Sequence, residues 1–489
     1  MSAFQKLFKQ TFIYGLATVL PRMLSFLLVR LHTDENVLES VADYGDVSII
    51  YAYFVLFNVI LAYGMETAFF RFFHKEENKN LVISTSAISL ALSSFFFFLL
   101  AFVFQEQIAS LTNINQEYIN LVIWTLLLDA LAIIPFAWLR ANQRPIKYAV
   151  IKLFNVVVNL GLNVFLLLNL KNLASNVGFW ESIYEPDFEV NYIFIANLVA
   201  SAVTLFILLP FYTKFKYTFN IRLWKKMMIY ALPVLVAGVA FSINEIFDRI
   251  LLERLLPEEV AKTDIGMYSA CYKLALFMTL FATAYRLGIE PYFFSHAQEE
   301  NPQKNYARIL EFFVALGSVI LLTVIIFLDV LKGIFIGDEA YWEAMWIVPI
   351  ILLANFCLGI YHNLSVWYKI TDRTKFGAHI SVLGAIITLA INIFFIKEYS
   401  YKASAIATLI AYSVMMLLSY YFGRKYYPIP YNLKKIGLYL SVSILFSIIS
   451  FYYFRENYLV GIPLLVVFLG IIYSSEKNQI NQFLKRNVQ

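Results

Sequence analysis

The chain has 489 residues, 61% of them apolar and 15% charged, with a formal net charge of +5. A water-soluble domain carries about 25% charged residues and has too little polar surface to cover this much apolar area, which leaves a membrane protein. The small, scattered positive charge excludes nucleic acid as a partner. Two cysteines, Cys271 and Cys357, are too few for a disulfide framework or a metal site.

A membrane-spanning helix needs about 20 apolar residues at 1.5 Å rise each. In chain order, the first apolar run covers 11–32. It follows Lys6 and Lys9, and no small-x-small cleavage site comes after it, so it reads as an uncleaved span. Thirteen more follow at 46–71, 81–104, 118–139, 148–170, 191–213, 227–251, 266–289, 306–331, 344–366, 377–396, 402–422, 436–453 and 458–474. The expectation is an all-α membrane protein of fourteen transmembrane helices. Connections are short, the longest being "KNLASNVGFWESIYEPDFEV", and none holds a soluble domain.

Alternate connections carry most of the 38 Lys and Arg residues, among them "RFFHKEENKN", "RANQRPIK", "KFKYTFNIRLWKK" and "GRKYYPIPYNLKK". The positive-inside rule places these connections, and both termini, in the cytoplasm.

"AYGMETAFFRFFHKEENKN" at Ala62 returns as "AYRLGIEPYFFSHAQEENPQKN" at Ala284. At nearly the same spacing, "DYGDVS" at Asp43 is answered by "DIGMYS" at Asp264, and "LGLNVF" at Leu160 by "LAINIF" at Leu389. Apolar helices resemble one another by composition, but Asp, Glu, His and Asn matched in register point to a true repeat of six spans. Six is even, so the copies are parallel, as in secondary transporters whose site lies between repeats. The expected organisation is an N-terminal lobe at 1–213, a basic cytoplasmic linker at 214–226 and a C-terminal lobe at 227–422. Residues 423–489 hold two extra helices and a tail.

A charge at mid-bilayer costs roughly 2.5–3.5 kcal/mol on the insertion scale, so those retained usually face a protein interior or a water-filled cavity. Arg22, directly after Pro21, sits halfway along the first span; Asp129 is halfway along the fourth, and Glu245 near the middle of the seventh. Asp248 and Arg249 follow one turn outward, as part of a site or as a local pair holding a helix end. Lys273 and Arg286 lie in the eighth span. Arg286, Arg71 and Lys152 are close enough to an interface to snorkel. Asn155, Asn159 and Asn163 put three amides on one face of the fifth span, either lining a site or joining helices. Glu66 and Glu290, matched in the repeat, bind a coupling cation or cap cytoplasmic corners. Several cations with a few acids suit a large anionic substrate, since guanidinium forks bind phosphate bidentately.

Four strings carry a family resemblance: "YGLATVLPRMLSFLLVRLHT", "DYGDVSIIYAYFVLFNVILAYGMETAFFRFF", "FDRILLERLLPEEVAKTDIGMYSACYKLA" and "GIEPYFF". They resemble the polysaccharide transporter branch of the multidrug/oligosaccharidyl-lipid/polysaccharide exporter superfamily, the O-antigen-type flippases. The resemblance covers essentially the whole chain. It implies two six-helix lobes around a central cavity, alternating access, and export of undecaprenyl-pyrophosphate-linked oligosaccharide across a bacterial inner membrane. It also implies membrane lipids and glycan polymerase or assembly proteins as partners. Arg22, Lys273, Arg286, Arg249, Asn159 and Asn163 are then candidates for substrate binding, and Asp129, Glu245, Asp248 and Glu66 for ion coupling. Lipid II flipping and ion-coupled drug export share the architecture. A membrane glycan polymerase or ligase would need a large outer loop with catalytic side chains, and the outer loops here are short. No cofactor is called for, and no phosphate loop for nucleotides is evident.

Overall fold

The computed structural model describes residues 19–24, 26–175, 178–295, 301–371 and 373–486. Among them thirteen helices are long and apolar enough to cross a membrane, from Val41–Lys75 to Tyr458–Lys477. No strand occurs among the described residues. The thirteen correspond to the second to fourteenth expected spans. Of the first, residues 19–24 and 26–32 are helical, and 11–18 lie outside the described residues.

The chain forms two compact units. The first comprises the described residues up to Ala270 with Gly337–Tyr341 and Gly384–Ser404; the second holds the remainder. The first unit contains α1 (Val41–Ala62), α2 (Met65–Lys75), α3 (Lys79–Val103), α4 (Gln105–Thr112), α5 (Gln116–Ala141), α6 (Pro145–Val164), α7 (Glu189–Tyr212) and α8 (Ile221–Leu255). Its α5 packs on α3 and α7, α6 on α7, and α1 on α8.

Local chemistry explains the boundaries. Ser40 caps α1, its hydroxyl accepting from the Asp43 amide while the Asp43 carboxylate accepts from the Ser40 amide. Between α1 and α2, Tyr63 and Gly64 both take positive φ, 32° and 74°. Gly64 is needed there twice over, because a Cβ would also lie 2.4 Å from the Ala231 carbonyl oxygen of α8. The kink turns α2 so that Met65, Ala68, Phe69, Phe72 and Phe73 enter a core with Ala130, Met227 and Ala231, leaving Glu66 outside it. The expected basic linker is partly helix: Asn220 caps α8, accepting from the Leu223 amide at 2.9 Å, so Ile221 to Lys226 form its first turns.

The strings "DYGDVS" and "DIGMYS" meet in the first unit. A Cβ on Gly45 would stand 2.0 Å from the Lys262 carbonyl oxygen, and one on Gly266 would stand 2.2 Å from that of Val41. The contact is reciprocal: Gly45 and Gly266 stand 221 residues apart, as do Val41 and Lys262. Beside it Lys262 Nζ lies 2.9 Å from Asp46. Asn163 and Asn392 also match. Both are fully buried, and each donates its amide to the carbonyl four residues back, Asn159 and Thr388.

In the second unit, α10 (Pro302–Ile326) packs on α12 (Ile347–Leu364), α15 (Leu433–Ile448) and α16 (Tyr458–Arg486); a short helix, α11 (Leu328–Phe335), follows α10. The remaining helices are α9 (Glu258–Ser295), α13 (Lys375–Tyr399) and α14 (Tyr401–Tyr426), each contributing to both units. Lys435 ties α15 to α10 and α16 through Glu311 at 3.2 Å and Glu476 at 2.5 Å. Asp329 of α11 receives Arg455 at 2.9 Å and Lys332 at 2.6 Å. Burial alone would push the Asp329 carboxyl up, but these two cations outweigh it and hold it below its ordinary value.

Candidate functional site

Helices α1, α2, α5, α6 and α7 of the first unit line an open cavity of about 580 Å³. Helical spacing brings its polar residues onto common faces: Thr125, Asp129 and Arg140 on α5, Tyr148, Lys152, Asn155 and Asn159 on α6, and Asn197, Ser201 and Thr204 on α7. Glu66 enters from α2, its neighbours being held in the core behind it.

The polar groups are organised in pairs. Arg140 Nη1 lies 2.7 Å from Glu66 Oε1, with both side chains about two-fifths exposed. The Arg140 guanidinium also stands over the Phe70 ring. Ser201 donates to Asp129 Oδ1 at 2.7 Å, and Asn155 Nδ2 to Thr204 Oγ1 at 2.9 Å. Asn197 Nδ2 donates to the Tyr51 hydroxyl at 2.6 Å. The Lys152 ammonium sits 4.3 Å from the centre of the Phe136 ring. Two carboxylates and two cations balance, among amides and hydroxyls that both donate and accept. Such a lining suits a polar, many-hydroxyl group more than a bare cation.

Three of the sequence candidates, Glu66, Asp129 and Asn159, converge on this cavity. The asparagine stripe divides: Asn155 and Asn159 line the cavity, while Asn163 turns to His32, whose Nε2 is 2.8 Å from its Oδ1. Asp248 and Arg249 are buried and engaged with each other at 2.8 Å, and Tyr268 donates to Asp248. Glu245, on the same helix, is half-buried, and its carbonyl accepts from Arg249. Arg22 is exposed on its helix and Lys273 is half-buried in the second unit. Arg286 lines a narrow pocket of the second unit with His362, Asn363 and Lys369. The Glu290 side chain lies outside the described residues.

Sequence reasoning did not single out Arg140, Tyr148, Asn197, Ser201, Thr204, His362 or Lys369. The signal for α7 was present, since Asn197, Ser201 and Thr204 recur at intervals of four and three in an otherwise apolar run.

The sequence profile of the family described as "Polysaccharide biosynthesis protein" matches residues 7–296, more than half of the chain. The chain belongs to this family. A curated relative, the Lsg locus putative protein 1 of Haemophilus influenzae, is 23% identical over 404 residues, covering 79% of this chain and 90% of the relative. Among solved structures, the fold is similar to the lipid II flippase MurJ in an inward closed conformation. The TM-score is 0.72 at 16% identity, over 94% of this chain and 99% of that one. It is also similar to a multidrug resistance MATE family transporter of the MOP superfamily, with TM-score 0.62 at 11% identity, over 90% and 96% of the two chains. A MOP superfamily transporter from Pyrococcus furiosus gives 0.60 at 12%, over 89% and 95%. This member of the polysaccharide biosynthesis protein family is thus a multi-pass membrane protein with a fold similar to those of MOP-superfamily structures.

Proposed function

We propose that the chain is a flippase that moves undecaprenyl-pyrophosphate-linked oligosaccharide from the cytoplasmic to the outer leaflet of a bacterial inner membrane by alternating access. The observation that carries this reading is the polar cavity among membrane helices, with amides, hydroxyls and balanced charges in its lining. A glycan needs donors and acceptors at every depth of the bilayer, where each unpaired polar group is costly. A cation exporter would need chiefly carboxylates; here Arg140 and Lys152 match Glu66 and Asp129.

In this reading the cavity takes the sugars. Arg22 meets the pyrophosphate through charge-assisted contacts worth about 1.5–3 kcal/mol each. Glu66 and Asp129 are the carboxylates that face the cavity, which favours them for ion coupling over Glu245 and the engaged Asp248. The reciprocal packing of Gly45 and Gly266 supports two parallel lobes related by an axis along the membrane normal, because a twofold relation makes each contact recur with its partners exchanged.

The test is genetic and chemical. Cells lacking the gene should accumulate lipid-linked glycan in the inner leaflet and lose the surface polymer, and the wild-type chain should reverse both. Thr125→Trp, which projects an indole among the polar residues of the cavity, should reverse neither at normal membrane levels. Full complementation by that variant overturns the reading.

A further inference from the structure

A second cavity, of about 460 Å³, lies in the first unit against other faces of α1 and α5 and is closed by α3 and α4. On α5, Thr125, Asp129 and Ala132 turn to the polar cavity, whereas Ile119, Val122 and Leu126 turn to this one. Its walls are largely apolar, and Ile50, Ile123 and Leu127 are 2%, 7% and 8% exposed. At its edge Phe57, Phe97 and Leu111 are 44%, 46% and 64% exposed, so it is a cleft with a buried floor that opens on one side.

One charged side chain lines it: Arg254, in the last turn of α8. Arg254 Nε faces Glu253 Oε2 at 3.3 Å, and Tyr53 is also in the lining. A guanidinium has five N–H donors, more than the contact with Glu253 uses. About two-fifths of the Arg254 side chain is still accessible.

An apolar space of this size gives water no hydrogen-bond partners and leaves its walls without contacts if empty. Within a bilayer the material that fills it is hydrocarbon. A cation at its edge adds an attraction for phosphate.

We propose that this pocket holds one hydrocarbon chain of an anionic phospholipid, with the lipid phosphate on Arg254. By the distribution of Lys and Arg, the α8 end concerned faces the outer leaflet. The site goes beyond the transport reading and does not depend on which glycan is carried.

The test uses the full chain purified in detergent, with dioleoyl phosphatidylglycerol, dioleoyl phosphatidylcholine and a polyprenyl phosphate as probes in native mass spectrometry and thermal melting. Wild-type protein should retain phosphatidylglycerol preferentially and melt higher in its presence. Arg254→Gln should weaken phosphatidylglycerol binding about tenfold and erase the preference, leaving phosphatidylcholine unaffected. Ala101→Phe, which narrows the pocket, should lower retention of both. Arg254→Gln keeps the test decisive should the narrowed variant fold poorly. Equal binding of the two lipids by wild type, or an unchanged preference in Arg254→Gln, reduces the pocket to ordinary bilayer contact and overturns the proposal. Binding of a polyprenyl phosphate with none of phosphatidylglycerol assigns the pocket to another occupant and overturns it equally.

Discussion

Replacing Gly45 or Gly266 by alanine tests the reciprocal seam between the start of α1 and the start of α9. The added Cβ would sit 2.0 Å from the Lys262 carbonyl oxygen in one case and 2.2 Å from the Val41 oxygen in the other. Real Cβ contacts essentially never fall below 3.0 Å, so the helices must part by roughly 1 Å for either substitution. Backbone atoms block both positions, so no side chain can swing aside. Overpacking of this kind costs about 1–3 kcal/mol. The adjoining Lys262–Asp46 pair, with Lys262 about a third exposed, contributes little to that sum. Because both substitutions open the same seam, the second methyl enters space the first has made. The double variant should therefore cost less than the two singles together, with a coupling of about 0.5–3 kcal/mol. Denaturant or thermal unfolding in detergent measures all three. Strict additivity, or no loss of stability in either single variant, would refute the reciprocal packing.

Glu66→Gln and Arg140→Gln should each change stability by less than about 1 kcal/mol, because the pair is about two-fifths exposed, yet lower transport; large unfolding shifts would make the pair structural. Asn163→Leu leaves the buried His32 without its 2.8 Å partner and should cost about 1–3 kcal/mol in thermal unfolding, with His32→Leu in the same background recovering part of it. Asp329, held below its ordinary value in the fold, contributes stability that is present above the unfolded value near 3.9 and lost as pH falls through the lower folded value. Melting curves between pH 5 and about pH 3 should show that loss in wild type and a smaller one in Asp329→Asn. Arg22→Lys should retain only part of the transport, since an ammonium keeps the charge but not the fork.

The membrane class and the succession of spans were legible because a spanning helix must be long and apolar, whatever it packs against. Polar residues in register pointed to a repeat, and Gly45 with Gly266, or Asn163 with Asn392, shows the contacts such matched residues make: backbone approach and buried amide bonding. The cavity was only half legible. Asp129 and Glu66 stood out as charges, but Ser201 and Thr204 did not, because hydroxyls in a helix can bond the carbonyl four residues back, as Thr204 does to Ala200. Asp248 and Arg249 show the converse. An intramembrane charge signals partners, and here they include the next residue and Tyr268.

The most direct measurement is flipping by the purified chain in liposomes, with a fluorescent polyprenyl-pyrophosphate-linked oligosaccharide as the substrate and lipid II as the comparison. The account predicts translocation of the oligosaccharide lipid by wild type and little by Thr125→Trp, with the variant folded and inserted. Equal flipping by wild type and the variant, or translocation of lipid II alone, would contradict it.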